Sequence, residues 1–464
     1  MTGRRQGMSN KTRFMALPVA LLGAVLVTGC SGGLPSLPKV GDLNPFKEKT
    51  EPLPGKRVAI LPTSAKIPGE LASGDQPIAL SSAEENSDWS QPGGIASNAP
   101  GHLALGSAVH KAWNSDAGVG SGKSGRLTAS PIVLGDRVYT LDAGGTVTAF
   151  SASGGARAWQ QSLVPEKERG GGSFFSLGGN SARGGYGGGL AADSGRLYAA
   201  TGFGNVVALD PQSGKKLWER SLGIPVRAAP TAAGDRVFVI TVDGRFYCLS
   251  GLDGTELWTV RGLPQQASLV MSVSPAVSGD VVVVPYPSGD LLALKVSDGT
   301  AVWSESLARS RTTSQLTGLA DAASPAIDNG VVFAVGHSGR MVATQIGSGE
   351  RLWSLNVAST QTPWVSGASV FVVDLSGQLM AIARNEGTIQ WTVQLPSAKT
   401  WAGPVLAGGK LWLVSSNGKL VSVDALSGRI ASQQDLGDPV YVPPVVAKRR
   451  MYVLTDEAKL IALN

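Results

Sequence analysis

Short apolar runs of four to six residues, each bounded by Gly, Asp, Asn or Ser, recur along most of this chain. Arg236-Val237-Phe238-Val239-Ile240-Thr241 and Arg245-Phe246-Tyr247-Cys248-Leu249 are two of them. Runs this short, rich in β-branched and aromatic residues, predict strands, and the residues between them predict tight hairpins. The punctuation keeps a fixed measure. From Ser274-Pro275 it is 14 residues to Gly289, 10 more to Gly299 and 4 more to Trp303. The same steps connect Pro131, Gly145, Gly155 and Trp159, and again Pro230, Gly244, Gly254 and Trp258. Pro325, Gly339, Gly349 and Trp353 repeat them, as do Pro363, Gly377, Gly387 and Trp391. Two copies are altered: Leu190 replaces the Pro ahead of Gly204, Gly214 and Trp218, and Ser432 replaces the Trp after Pro404, Gly418 and Gly428.

Each repeat has room for four strands. Two-residue hairpin turns need positive φ, which Gly adopts without steric cost, so Asp243-Gly244 and Asp253-Gly254 each reverse the chain. Pro opens the first strand, where its missing N–H does least damage. Four strands at a period of about forty residues predict a β-propeller blade, and the Trp of the fourth strand is expected to pack between blades with its indole N–H bonded.

Seven copies are complete, from Thr128 to about Leu436, and an eighth starts at Pro444 but stops at Asn464 before a fourth strand. Val109-His110-Lys111-Ala112-Trp113 reads as a strand with no blade before it. Its expected partner is Leu460-Ile461-Ala462-Leu463, which would close the ring and remove its open edges. The expectation is therefore all-β: one eight-bladed propeller over residues 104–464. From each Trp, or Ser432, to the next first-strand landmark the gap runs from 10 to 31 residues while the blades stay constant. Insertions thus collect on the face that carries the outer-to-inner connections and the turns between second and third strands, where a binding surface is to be sought.

The first 29 residues carry Arg4, Arg5, Lys11 and Arg13, no acid, and then the apolar run Met15 to Val27. This is the pattern of an export signal. It ends Val27-Thr28-Gly29-Cys30, similar to the lipobox of bacterial lipoproteins, which implies cleavage before Cys30 and its lipidation; by the same resemblance Ser31 favours the outer membrane. Residues 30–103 are rich in Pro, Gly and Ser and predict a tether, with the stretch around Trp89 and Pro92-Gly93-Gly94 a candidate for docking on the ring. With Cys30 lipidated, Cys248 has no disulfide partner and is expected to be a small buried hydrophobe.

The formal charge of +6 includes the four basic residues of the signal, which leaves the remainder near +2. No basic stripe supports nucleic-acid binding, and Lys448-Arg449-Arg450 falls at an expected solvated hairpin turn. Ala117-Gly-Val-Gly-Ser-Gly-Lys-Ser124 imitates a phosphate-binding loop, but that mechanism needs a following helix and Leu127 to Leu134 predicts a strand. His102, His110 and His337 lie far apart, and no metal-ligand or nucleophile–base spacing occurs. No catalytic residue, cofactor or metal is expected. The Gly-rich insertion 170–189, with Phe174, Phe175, Arg183 and Tyr186, is a candidate for ordering by a partner.

The blade pattern, with its first-strand Pro, Asp-Gly turns and Gly-x-x-x-Trp ending, resembles the quinoprotein-type propeller repeat. With the lipobox, the blade count and stretches such as Asp88-Trp89-Ser90-Gln91-Pro92-Gly93-Gly94, Gly202-Phe203-Gly204, Pro225-Val226-Arg227-Ala228-Ala229-Pro230 and Thr362-Pro363-Trp364-Val365, the chain resembles the BamB family of outer-membrane protein assembly factors, in its alphaproteobacterial form. The resemblance implies a non-enzymatic, lipid-anchored scaffold on the periplasmic face of the outer membrane. Its partners would be the barrel-forming subunit of the assembly machine and nascent outer-membrane proteins. Two other readings stay open. A PQQ-dependent dehydrogenase is expected to show adjacent cysteines, a calcium site and often a haem motif, and the sequence has no adjacent cysteines and no Cys-x-x-Cys-His; a cell-wall or sugar-binding lipoprotein would share the same scaffold.

The contact surface is expected at the connections entering two consecutive blades, 264–274 and 304–324. Leu269, Val270 and Met271 are apolar within a loop, and Arg309 and Arg311 add charge, a combination suited to an apolar anchor with a polar rim. By resemblance, a Leu followed by Arg precedes one blade's Pro and acids precede the next. Leu269 matches that Leu, Val270 replaces the Arg, and Asp321, four residues before Pro325, is the acid of the second stretch nearest that Pro.

Overall fold

Glycine at the second landmark of each repeat turns the chain between second and third strands. In Thr241-Val242-Asp243-Gly244-Arg245 the Thr241 N–H donates to Arg245 O at 2.9 Å and Gly244 sits at φ 79°. The computed structural model describes residues 78–122, 125–166, 187–262, 273–308 and 322–464. Within them the strands form eight antiparallel four-stranded sheets. Blades 1 to 7 take their strands consecutively, as in blade 3 with Thr231–Ala233, Arg236–Ile240, Arg245–Ser250 and Glu256–Arg261. First strands of adjacent blades touch one another and line the axis, whereas fourth strands are the most exposed. The eight-bladed propeller read from the repeat is the fold.

Closure follows the expected pairing with a shift in extent. Lys111–Asp116 is the outer strand of blade 8 and pairs with Lys459–Leu463, setting Trp113 opposite Ala462 and Asp116 opposite Lys459. It starts later than Val109, which is buried at 7 % exposure in the approach, and it extends through Asn114, Ser115 and Asp116, polar residues of low strand propensity that the ladder nonetheless holds. His110 and Asn464 add two backbone bonds of 2.8 and 2.9 Å.

The tryptophans join each blade to the next. All seven at this position, including Trp113, donate their indole N–H to a backbone carbonyl of the following blade, at 2.6–3.2 Å. The third-landmark glycine of that blade lies against the ring, so that a Cβ there would stand only 2.5–2.8 Å from it. This glycine therefore serves twice, for its positive φ and for the space it leaves to its neighbour's Trp. The substitution at Ser432 has a physical reason. Blade 8 has no turn between third and fourth strands, because its third strand ends at Leu463 and its fourth comes from Lys111–Asp116. With neither carbonyl nor glycine waiting there, a Trp has nothing to clamp, and the Ser432 hydroxyl bonds Ser422 at 2.6 Å instead.

Residues 78–105 are not a tether. They make one lap of the inner wall, bonding to the first strand, or the turn after it, of every blade. Ala79 O accepts from Ala368 N in blade 6 and Asn86 O from Lys448 N in blade 8. Trp89 and Val133 of blade 1 exchange both backbone bonds, at 2.8 and 2.9 Å, and Ser90 O accepts from Ala192 N of blade 2. The Gln91 amide then spans blades 2 and 3, donating to Ala192 O and Ala232 O and accepting from Ala232 N. Ala96 meets Val277 in blade 4, Ser97 meets Ile327 in blade 5, Gly101 accepts from Trp364 Nε1 in blade 6, and Leu103 pairs with Leu406 and Gly408 in blade 7. The inner edges of first strands carry backbone groups with no ladder partner, and an extended chain satisfies them whatever its side chains. That is why a Pro/Gly/Ser-rich composition, which predicts no core of its own, still packs. The side chains that do bury are the exceptions: Trp89 is 1 % exposed, Gln91 2 % and Asn98 2 %.

Three smaller expectations can be placed. Lys448 and Arg449 do form a first-to-second-strand turn, both at positive φ, but Arg450 bonds Ala152 O and ties blade 8 to blade 1 rather than lying in solvent. Residues 117–122 bond to Asp142 and Asp456 and lead toward blade 1 without a helix. Cys248 is fully buried and burial pushes its thiol up to about 12. In a chain carrying Cys30→Ala, the expected result is no alkylation of the folded protein at neutral pH and one equivalent in denaturant; labelling of the native state would show that blade 3 opens.

Candidate interaction face

The turns between second and third strands bond directly to the connections that enter each blade, which puts both on one face. Val242 N donates to Pro225 O, Leu375 N to Ala358 O, Ser416 N to Thr400 O and Asp456 N to Pro439 O. Buried Asp142 on this face accepts from the N–H groups of Val119, Gly144 and Thr146. Burial raises its pKa and those amides oppose the rise.

The residues expected to contact a partner, Leu269, Val270, Arg309, Arg311 and Asp321, lie outside the described residues, as do Met271 and Cys30. The same is true of Phe174, Phe175, Arg183 and Tyr186 in the Gly-rich insertion. The roots of the two connections are described, and the structure brings them together. Ser274 N donates to the Ser324 hydroxyl at 2.7 Å, joining the entries of blades 4 and 5 immediately before Pro275 and Pro325. The departing end of the second connection is fixed by fully buried Leu307, whose N–H donates to Gly289 O and whose carbonyl accepts from Ser338. Below it Glu305, 8 % exposed, holds Arg351 of blade 5 through two bonds of 3.1 and 2.5 Å. The return of the first connection and both ends of the second are thus held by hydrogen bonds.

At the centre of this face is a cup of about 410 Å³ that sequence reasoning missed. Its walls come from the entries of blades 1, 4, 5, 6, 7 and 8, and its floor is Pro92-Gly93 of the N-terminal lap. Nothing in the sequence marks it except the Ser and Thr residues that precede the blade-opening prolines. The described walls hold no Asp, Glu, Lys or Arg. Among the described residues no cluster of three or more His, Cys, Asp or Glu side chains could hold a metal, and no helix is long and apolar enough to cross a membrane.

A protein-family model described as outer membrane protein assembly factor BamB matches residues 106–183, 145–393 and 382–464, the whole of the ring. The chain belongs to the BamB family. It is 25% identical over 366 residues to outer membrane protein assembly factor BamB of Yersinia pestis, covering 76% of this chain and 88% of that one. The BamB of Burkholderia pseudomallei is 27% identical over 176 residues, 38% of this chain and 40% of the relative. Among solved structures, BamB from Moraxella catarrhalis superposes with a TM-score of 0.64 at 17% identity, covering 77% of this chain and all of that chain. The quinohemoprotein alcohol dehydrogenase of Comamonas testosteroni superposes with a TM-score of 0.63 at 12% identity, over 82% of this chain and 81% of the other. The propeller is therefore common to BamB proteins and quinone-dependent dehydrogenases, and fold alone does not choose between their functions.

The cup allows a test of fit for the dehydrogenases' cofactor. PQQ carries carboxylates and is used with a divalent cation, so a site for it needs basic side chains and acidic ligands. The described walls of this BamB family member provide no acidic ligand and, of basic side chains, only His337. The residues present do not fit that group.

Proposed function

We propose that this chain is a non-enzymatic scaffold lipoprotein of the outer-membrane β-barrel assembly machinery, binding the barrel-forming subunit through the loop face and assisting insertion of outer-membrane proteins. The observation that carries the reading is the family match over the entire ring, 106–464. The placement of the surface is supported by the Ser274–Ser324 bond, which brings together the points where the two connections enter blades 4 and 5. Leu269 supplies the apolar anchor, Val270 flanks it, and Arg309, Arg311 and Asp321 form a charged rim, so that burial at the centre gives affinity while the rim sets register.

The test is co-purification from solubilised outer membranes. Leu269→Asp combined with Arg309→Glu and Arg311→Glu is expected to reduce recovery of the barrel subunit at least about tenfold, since losing a single hot-spot side chain already costs about 2 kcal/mol or more. The melting temperature should stay within a few degrees. Undiminished recovery would place the interface elsewhere, with the Gly-rich insertion 170–189 the next region to alter.

Cys30 is the proposed anchor. Acyl chains contribute roughly 0.8 kcal/mol per buried CH₂, so several on one residue hold a protein at the membrane without a spanning segment. Cys30→Ala is expected to move the protein to the soluble periplasmic fraction. Continued sedimentation with membranes after a high-salt wash would refute a lipid anchor.

A further inference from the structure

We infer that the central cup binds a neutral, hydroxyl-rich small molecule of the saccharide class. This goes beyond the scaffold reading and stands whether or not the surrounding loops hold a protein. Three observations carry it. The cup has the size of small-molecule sites, which begin at about 300 Å³. Its lining includes Pro92-Gly93 of the N-terminal lap, which runs from blade to blade inside the ring.

The third observation is the chemistry of the wall. The hydroxyls of Thr128, Ser130, Thr362 and Thr400 line the cup and have no partner within the described chain. A hydroxyl both donates and accepts, and it is best matched by a ligand whose groups do the same. Around them Leu127, Trp401 and Val442 give the apolar area that the C–H faces of a sugar ring can cover. His337, itself engaged by a neighbour, is the one side chain of the described walls able to carry positive charge, so a phosphorylated or carboxylated ligand would lose hydration for little counter-charge. The set selects against charge and for many weak, bidirectional hydrogen bonds. A free peptide end carries a charge and is disfavoured for the same reason.

The experiment uses the full mature chain and four probes: N-acetylglucosamine and its β-1,4-linked dimer as neutral ligands, glucuronate and glucose 6-phosphate as charged ones. Saturation-transfer NMR and calorimetry should give saturable binding of a neutral probe with Kd of about 10 mM or tighter. The charged probes should bind at least about tenfold more weakly. Thr362→Trp, which fills the cup from its rim, should abolish the signal with the melting temperature within a few degrees of the parent. Thr128→Val and Thr400→Val, which keep side-chain shape, should each weaken binding about twofold to tenfold. The inference is overturned by no saturation with either neutral probe at roughly 50 mM, by equal binding of the charged sugars, by unchanged binding in Thr362→Trp, or by saturable binding of a blocked neutral peptide alone.

Discussion

A chain that begins at residue 117 is expected not to melt as a single cooperative unit, whereas one that begins at residue 104 still should. The difference between them is the closing strand. Lys111–Asp116 supplies the fourth strand of blade 8, and without it the edge of Lys459–Leu463 is exposed along its length. Trp113 is lost at the same time, together with its 6.0 Å contact to Tyr452, its bond to Ala152 O and the Ser115 bond to Gly155 O. Trp113 is partly buried, so its loss adds less than the about 3–5 kcal/mol of a core Trp. An unpaired edge beside the blade 8–blade 1 junction also invites association between chains. Calorimetry and light scattering on the two truncations check this. Identical, concentration-independent melting of both would mean that the ring does not depend on its closing strand.

The second large effect concerns the inner lap. A chain that begins at residue 78 is expected to melt within about 2 °C of the full mature chain, and one that begins at 104 roughly 10 °C lower or more. Trp89→Ala in the longer chain isolates one part of that loss. Trp89 is 1 % exposed and lies 6.2 Å from Trp364, so truncation leaves a cavity worth about 3–5 kcal/mol and a fall of roughly 5–10 °C. Gln91→Leu isolates another, because it leaves the N–H of Ala232 and the carbonyls of Ala192 and Ala232 without their side-chain partner in a dry wall, at a cost of at least about 2 kcal/mol. If all three changes leave the transition where it was, the lap is an ornament on a ring that is stable alone. The prediction also separates cup from scaffold, since a chain lacking Pro92-Gly93 would lose part of the cup's lining.

Much of this was legible in the residues because it is local. A Gly that must take positive φ, a Pro that opens a strand and a Trp a fixed distance beyond a turn each act within one repeat, so their spacing alone specifies four strands, the blade and the variable face. Closure was legible too, since one strand before the first blade and three after the seventh have one economical solution. Even Ser432 could have been explained from sequence, because the repeat after it has no turn glycine to receive a Trp.

What the tertiary structure decided is non-local and carried by backbone. The lap of residues 78–105 binds partners from 44 residues away, at Trp89 and Val133, to 362, at Asn86 and Lys448, mostly through peptide groups that every residue type possesses. No side-chain pattern can announce such bonds, which is why the composition of 30–103 predicted a tether, with only the stretch around Trp89 and Pro92-Gly93-Gly94 a candidate for docking. The cup is decided the same way. Thr128, Ser130, Thr362 and Thr400 are ordinary turn residues in sequence, and only the closing of eight blades about one axis, over a floor made by Pro92-Gly93, turns their hydroxyls toward a common space.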